Sequence, residues 1–200
     1  MNPKKGMIIK GEYRDVISKR GESIKDSGWK SNTIAPDYGK FLAALMKKEF
    51  NKQGGIDYIA VGSSGTEHNF NSFSEKVVYY FINDRPIPQP GQPWVWAQEI
   101  KPMNITYLDE NDEEVGEMTN KLKIEVTIGE DEPSTGTFDF FEFALVGIYR
   151  NQETAELTED NIFFINYVNH GQITKDNTME LTRTIKLTFP INQNEEENHE

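Results

Sequence analysis

The chain has 200 residues, 36% of them hydrophobic and 12% aromatic, with a net charge of −12 and no cysteine. That length suits one domain. The missing cysteines exclude disulfides, thiolate metal sites and cysteine nucleophiles, and the acidic balance argues against nucleic-acid binding, which needs a basic footprint.

No apolar run approaches the roughly 20 residues that span a bilayer. Residues 1–10 are charged and lack an apolar centre of signal-peptide length. The expectation is a chain made in the cytoplasm, neither secreted through a signal peptide nor inserted in a membrane. The charge is also uneven. Residues 1–53 carry 12 Lys/Arg against 6 Asp/Glu, and residues 54–200 carry 9 against 27. This is either a solvated surface or a basic end that docks on an acidic face of a neighbour.

Residues 7–18 and 22–34 read as two strands around the turn Lys19-Arg20-Gly21. Pro36 can open a helix, and Tyr38, Phe41, Leu42 and Leu45 follow at spacings of three and four. Lys47 and Lys48 suit its last turns and Gly54-Gly55 ends it, which predicts an amphipathic helix over about 36–51.

Ile56 to Val61 is a short apolar strand, and Gly62-Ser63-Ser64-Gly65 reads as a turn. Residues 74–82, with Val77-Val78-Tyr79-Tyr80-Phe81, read as a further strand. Four prolines within residues 86–93 make 83–93 an extended, exposed loop. Residues 94–107 are a candidate strand, and Asp109 to Glu114 an acidic turn. Leu122, Ile124, Val126 and Ile128 alternate with polar residues as in a half-buried strand. Residues 138–149, 162–168 and 181–189 are three more, and 191–200 form an acidic, disordered tail.

The predicted fold class is therefore mainly β: an antiparallel β-sandwich with one amphipathic helix, about 36–51, packed at its edge. It forms a single domain over 1–190, with an extended N-terminal hairpin or arm over 1–34.

Little in the chain suggests chemistry. His68, His170 and His199 do not stand at zinc-site spacing and read as loop residues. Gly62-Ser63-Ser64-Gly65 lacks both the Gly-x-Ser-x-Gly spacing of a nucleophile elbow and the lysine of a phosphate loop. Asp109, Asn111 and Glu113 begin with calcium-loop spacing, but the sixth position is Glu114 and the twelfth Asn120. No catalytic residue, metal site or cofactor is expected. Arg85, Pro86, Trp94 and Trp96 are the candidate contacts for a partner or ligand. The two tryptophans either form a stacking surface or fill a core or interface.

Six segments, in order, carry a resemblance. Asp26-Ser27-Gly28-Trp29-Lys30-Ser31-Asn32-Thr33-Ile34 leads through Gly39-Lys40-Phe41-Leu42-Ala43-Ala44-Leu45 to Ile56-Asp57-Tyr58-Ile59-Ala60-Val61-Gly62-Ser63. Phe141-Glu142-Phe143-Ala144-Leu145-Val146-Gly147 follows, then Asn166 to Lys175 and Leu181 to Phe189. Over about residues 20–190 this order resembles structural proteins of phage tails and baseplates and of related contractile injection systems. Ala144 stands where that family usually has glycine, and residues 80–96 do not map onto it. The resemblance implies a non-enzymatic subunit that assembles with itself and with other tail or baseplate proteins. A receptor- or glycan-binding module at a tail fibre is the alternative, resting on Trp94, Trp96 and the proline loop. A cell-wall hydrolase is the third reading, supported only by abundant carboxylates.

Overall fold

The computed structural model describes residues 9–35, 38, 55–63, 68–149 and 157–189. The chain is mainly antiparallel β. The described residues form twelve hydrogen-bonded strands, ten of them on one continuous path. They are β1 (Lys10–Lys19), β2 (Glu22–Asp26), β3 (Lys30–Ile34), β4 (Tyr58–Ser63), β5 (Trp94–Glu99), β6 (Ile105–Leu108), β7 (Glu114–Val115), β8 (Lys121–Ile128), β9 (Phe138–Ile148), β10 (Ile162–Phe164), β11 (Asn166–Lys175) and β12 (Met179–Thr188). The path runs β5-β4-β9-β11-β3-β1-β12-β8-β6-β7, with β10 on β9 and β2 on β1. It folds over on itself. A first sheet centred on β1 and β12 faces a second centred on β9, and β3 and β11 join them through Thr33–Tyr167 and Ile34–Asn166.

Local sequence explains the turns. Arg20 and Gly21 both have positive φ (53° and 79°), the backbone a two-residue hairpin needs. The predicted strand over 22–34 divides at Gly28, at φ 64°, whose N–H donates to Asp26 Oδ1 at 2.9 Å. Residues 94–107 also divide, at a 3-10 turn over Pro102–Asn104, and the halves enter different sheets. Gly62 lies inside β4 and not in a turn. A Cβ there would stand 2.2 Å from the Trp94 carbonyl, so only glycine lets β4 and β5 approach this closely.

The helix predicted over 36–51 lies outside the described residues except for Tyr38, which is buried and packs near Phe189. The described α-helix, α1 (Phe70–Ile82), occupies the segment read as a strand over 74–82. Val77-Val78 misled that reading. Phe73, Val77, Tyr80 and Phe81 recur at helical spacing and are buried, and the Asn69 side chain caps the first turn by accepting from the Ser72 N–H at 3.0 Å. This helix covers the outer face of the second sheet. It packs on Ala60, Val95, Ala97, Ala144 and Val146. The fully buried Phe73 and Val77 of the helix each contribute roughly 1.5–3 kcal/mol.

The second sheet is thus buried on both faces, so β4 and β9 are almost continuously buried where β12 alternates. Along β9 the alternation slips. Phe138, Phe140, Phe143 and Leu145 face the inter-sheet core, while Ala144, Val146 and Ile148 face α1.

The inter-sheet core holds an ion pair. Asp15 and Arg183 are cross-strand partners on the inner face of the first sheet, 3% and 0% exposed. Arg183 Nε donates to Asp15 Oδ1 at 2.5 Å and Nη2 to Oδ2 at 2.9 Å. The guanidinium lies 3.9 Å from the Phe143 ring centroid, across the sandwich. Burial alone would raise the Asp15 carboxyl, but the charge and hydrogen bonds of Arg183, helped by His170 and Lys30, bring it below the usual carboxylate range.

His170 sits within β11, not in a turn. Two more residues of β11 than of β9 separate the paired positions on either side of it, and Gly171 at φ 78° follows. Its Nδ1 lies 2.7 Å from the Gly171 carbonyl. Burial, followed by the Arg183 charge, pushes the imidazole down to about 3. Lys175, 2% exposed, donates to the carbonyls of Glu130 and Glu132 at 2.9 and 2.8 Å and ties the β8–β9 loop to β11.

Two expectations follow. Arg183→Leu strands the Asp15 carboxylate in the core and should cost about 3–5 kcal/mol in urea unfolding, whereas Asp15→Val with Arg183→Leu should recover most of it. His170 resists protonation when folded but accepts a proton near pH 6.5 when unfolded. Its contribution is complete above that pH and is lost as pH falls towards 3, by about 2 kcal/mol at pH 5. His170→Gln should flatten the stability profile between pH 6.5 and 4.

Candidate functional site: the helix and proline-loop surface

The predicted contact residues Arg85, Pro86, Trp94 and Trp96 fall on one stretch of chain, but the structure separates their roles. Asn83 closes α1, its N–H bonded to the Tyr79 carbonyl at 2.9 Å, and Asp84 and Arg85 follow with positive φ (55° and 50°). These two residues turn the chain off the helix and launch the proline-rich loop. Arg85 holds that departure. Its N–H donates to the Tyr80 carbonyl at 3.0 Å and its Nη2 to Tyr58 Oη at 3.1 Å. The guanidinium lies over the Tyr58 and Phe81 rings, 5.3 and 5.5 Å from their centroids. Arg85 is therefore an exposed clamp within the chain, and Pro86 beside it is exposed.

Trp94 is a core residue, 6% exposed, packed edge-on to Phe138 and Phe140 at 5.3 and 5.0 Å. Its indole presents no outer face for stacking. Trp96 is half-buried and packs against both cores.

What the surface offers instead comes from α1 and the loop. Tyr79, Ile82 and Ile87 are 59%, 43% and 71% exposed. Tyr79 and Ile82, one turn apart, stand away from the buried stripe, and Ile87 projects between Pro86 and the buried Pro88. A groove of about 250 Å³ separates helix from loop, lined by Lys76, Tyr79, Pro86, Ile87 and Pro93 among others. Exposed apolar residues scattered singly are ordinary, but a contiguous patch rimmed by polar side chains is the mark of a contact surface. Reading 74–82 as a strand hid Tyr79 and Ile82. The helical spacing of Phe73, Val77, Tyr80 and Phe81 was the signal that would have exposed them.

A larger cleft, about 630 Å³, opens between the sheets at the end where Ile100, Ile105, Leu187 and Phe189 meet. Its rim includes Tyr38 and Gly55.

The titratable groups are bound into the fold. Glu142, fully buried, accepts from Tyr167 Oη at 2.7 Å and faces His68 Nδ1 at 3.3 Å. The His68 ring is stacked 4.2 Å from Phe141, and Asn169 Nδ2 donates to its carbonyl at 3.0 Å. Burial, followed by the bond to Glu142, raises the Tyr167 phenol. This cluster ties the residue before the Asn69 cap to β9 and β11. Neither imidazole is hydrogen-bonded to a serine or threonine hydroxyl among the described residues. In the acidic turn Asp109 Oδ1 accepts from the Asn111 and Glu113 N–H groups at 2.8 and 2.9 Å, so its carboxylate shapes the β6–β7 hairpin. Among the described residues no group of three His, Cys, Asp or Glu side chains could hold a metal ion.

Comparison with protein-family models, curated proteins and solved structures returned no match.

The clamp role of Arg85 has a measurable consequence. Arg85→Ala should cost about 1 kcal/mol, the worth of an exposed cation–aromatic contact. Amide exchange should accelerate at residues 83–92 more than elsewhere in the chain.

Proposed function

We propose that this chain is a structural subunit of a phage tail, baseplate or phage-tail-like contractile injection particle, and that it acts by protein–protein assembly and not by catalysis. The observation that carries the assembly reading is the exposed surface of Tyr79, Ile82 and Ile87, held in place by the Arg85 clamp beside a proline-rich loop. Its counterpart is chemical. The buried ionisable groups are consumed by cross-strand, cross-sheet and loop contacts, which serve rigidity. The particle itself rests on the ordered resemblance of residues 26–63, 141–147 and 166–189.

An assembly component needs a stiff scaffold with one sticky surface, and a sheet buried on both faces suits that need. The partners are other tail or baseplate proteins and further copies of this chain. No nucleic-acid or membrane role is proposed. The uneven charge, basic over 1–53 and acidic beyond, fits a head-to-tail contact between unlike faces.

Mass spectrometry of purified particles should find the chain as a stoichiometric component. Tyr79→Asp with Ile87→Asp should leave the melting temperature nearly unchanged and reduce incorporation at least tenfold. Intact particles lacking the chain would overturn the reading.

A further inference from the structure

On the side of the sandwich away from α1, the outer face of the first sheet carries a polar groove of about 490 Å³. Strands β1, β3, β8 and β12 contribute to it, and the β6–β7 turn reaches over it through Asp112. Asp112 accepts from Lys186 Nζ at 2.8 Å and from Lys121 Nζ at 3.1 Å. These hydrogen bonds, that of Lys186 foremost, hold the Asp112 carboxyl below its usual range. The charged lining is completed by Lys10 and Glu12, so three ammonium groups meet two carboxylates on a chain whose net charge is −12. Ser31 also lines the groove, and it pairs with Glu12 across β3 and β1, so the two side chains share this outer face.

Trp29 adjoins this groove through Lys186, whose Nζ lies 4.2 Å from the indole centroid. Of the three tryptophans it is the one more than a third exposed, at 41%. The ammonium group fixes one side of the ring and leaves the remainder to solvent.

A flat indole beside hydrogen-bonding side chains matches a sugar ring, which has an apolar C–H face and a polar rim. A neutral sugar would leave the excess ammonium charge unmatched. A carboxylate, sulfate or phosphate on the sugar would pair with it. We propose that this groove binds an anionic oligosaccharide, with a sugar ring stacked on Trp29, its acidic group on Lys186 and Lys10, and its hydroxyls on Ser31 and Glu12. This places glycan recognition at Trp29, on the face opposite the assembly surface. Particle membership and sugar binding can therefore fail independently.

The test is an array of carboxylated, sulfated, phosphorylated and neutral glycans probed with the purified full chain. Binding should be confined to acidic glycans and should weaken at least tenfold in Trp29→Ala and in Lys186→Gln. Both are surface changes whose folding a thermal melt verifies, and Met118→Ala, exposed elsewhere, should bind like the parent. Three results would overturn the proposal: no acidic glycan above background, equal retention of neutral glycans, or unchanged binding by the Trp29 and Lys186 variants. Displacement of the bound glycan by an equal concentration of inorganic phosphate would overturn it too, since the groove would then be a simple anion site.

Discussion

The Asp15–Arg183 pair constrains everything around it. Two charges removed from water are tolerated when they meet each other, and here a two-toothed contact across paired strands joins Nε and Nη2 of the guanidinium to the carboxylate. The guanidinium plane then lies on Phe143 of the opposite sheet, so one ionic contact sets both the register of β1 on β12 and the distance between the layers. A slip of β1 by one residue would turn Asp15 to solvent and bring Arg14 inward, leaving Arg183 buried without its carboxylate. His170 completes the arrangement. Burial, and then the Arg183 charge beside it, keeps its ring neutral, and the irregular stretch of β11 that carries it departs from regular pairing.

From that core the layers follow, and with them the surfaces left for function. The second sheet has α1 on its outer face, so its strands are buried on both sides and cannot serve as a binding platform. What remains on that side is the outward stripe of α1 and the proline loop swung off its end by Asp84 and Arg85. On the other side the outer face of the first sheet stays polar, with Lys121 and Lys186 paired to Asp112 of the β6–β7 turn and Lys123 to Glu114 and Glu125. One side is apolar and suited to assembly; the other is charged, with a single exposed indole.

Much of this was legible locally. Arg20-Gly21 marks a hairpin because adjacent positive φ angles demand such residues. The β8 alternation reports one buried and one solvated face, and four closely spaced prolines leave residues 83–93 no partner strand. The candidate site was legible only as an address. The loop was found, but Trp94 went to the core and Tyr79, Ile82 and Ile87 were overlooked. Aromatic residues look alike whether they face a core or a partner, and only the register of β5 on β4 decides which. Residues 74–82 read as a strand because β-branched and aromatic residues favour strands in isolation, while burial on a flat sheet rewards a helical stripe.

By itself the sequence determined that the chain is mainly β, acidic and free of thiol chemistry, because composition and short-range alternation carry that information without reference to distant residues. It also placed Arg183 between Leu181 and Ile185 and Asp15 between Tyr13 and Ile17, on faces otherwise apolar. That those two positions meet, 168 residues apart, was decided by the tertiary structure alone. The same holds for Glu142 with Tyr167 and His68, and for Lys186 with Trp29. Pairing across sheets depends on topology, and a charge in an apolar stripe states that a partner is required without stating which.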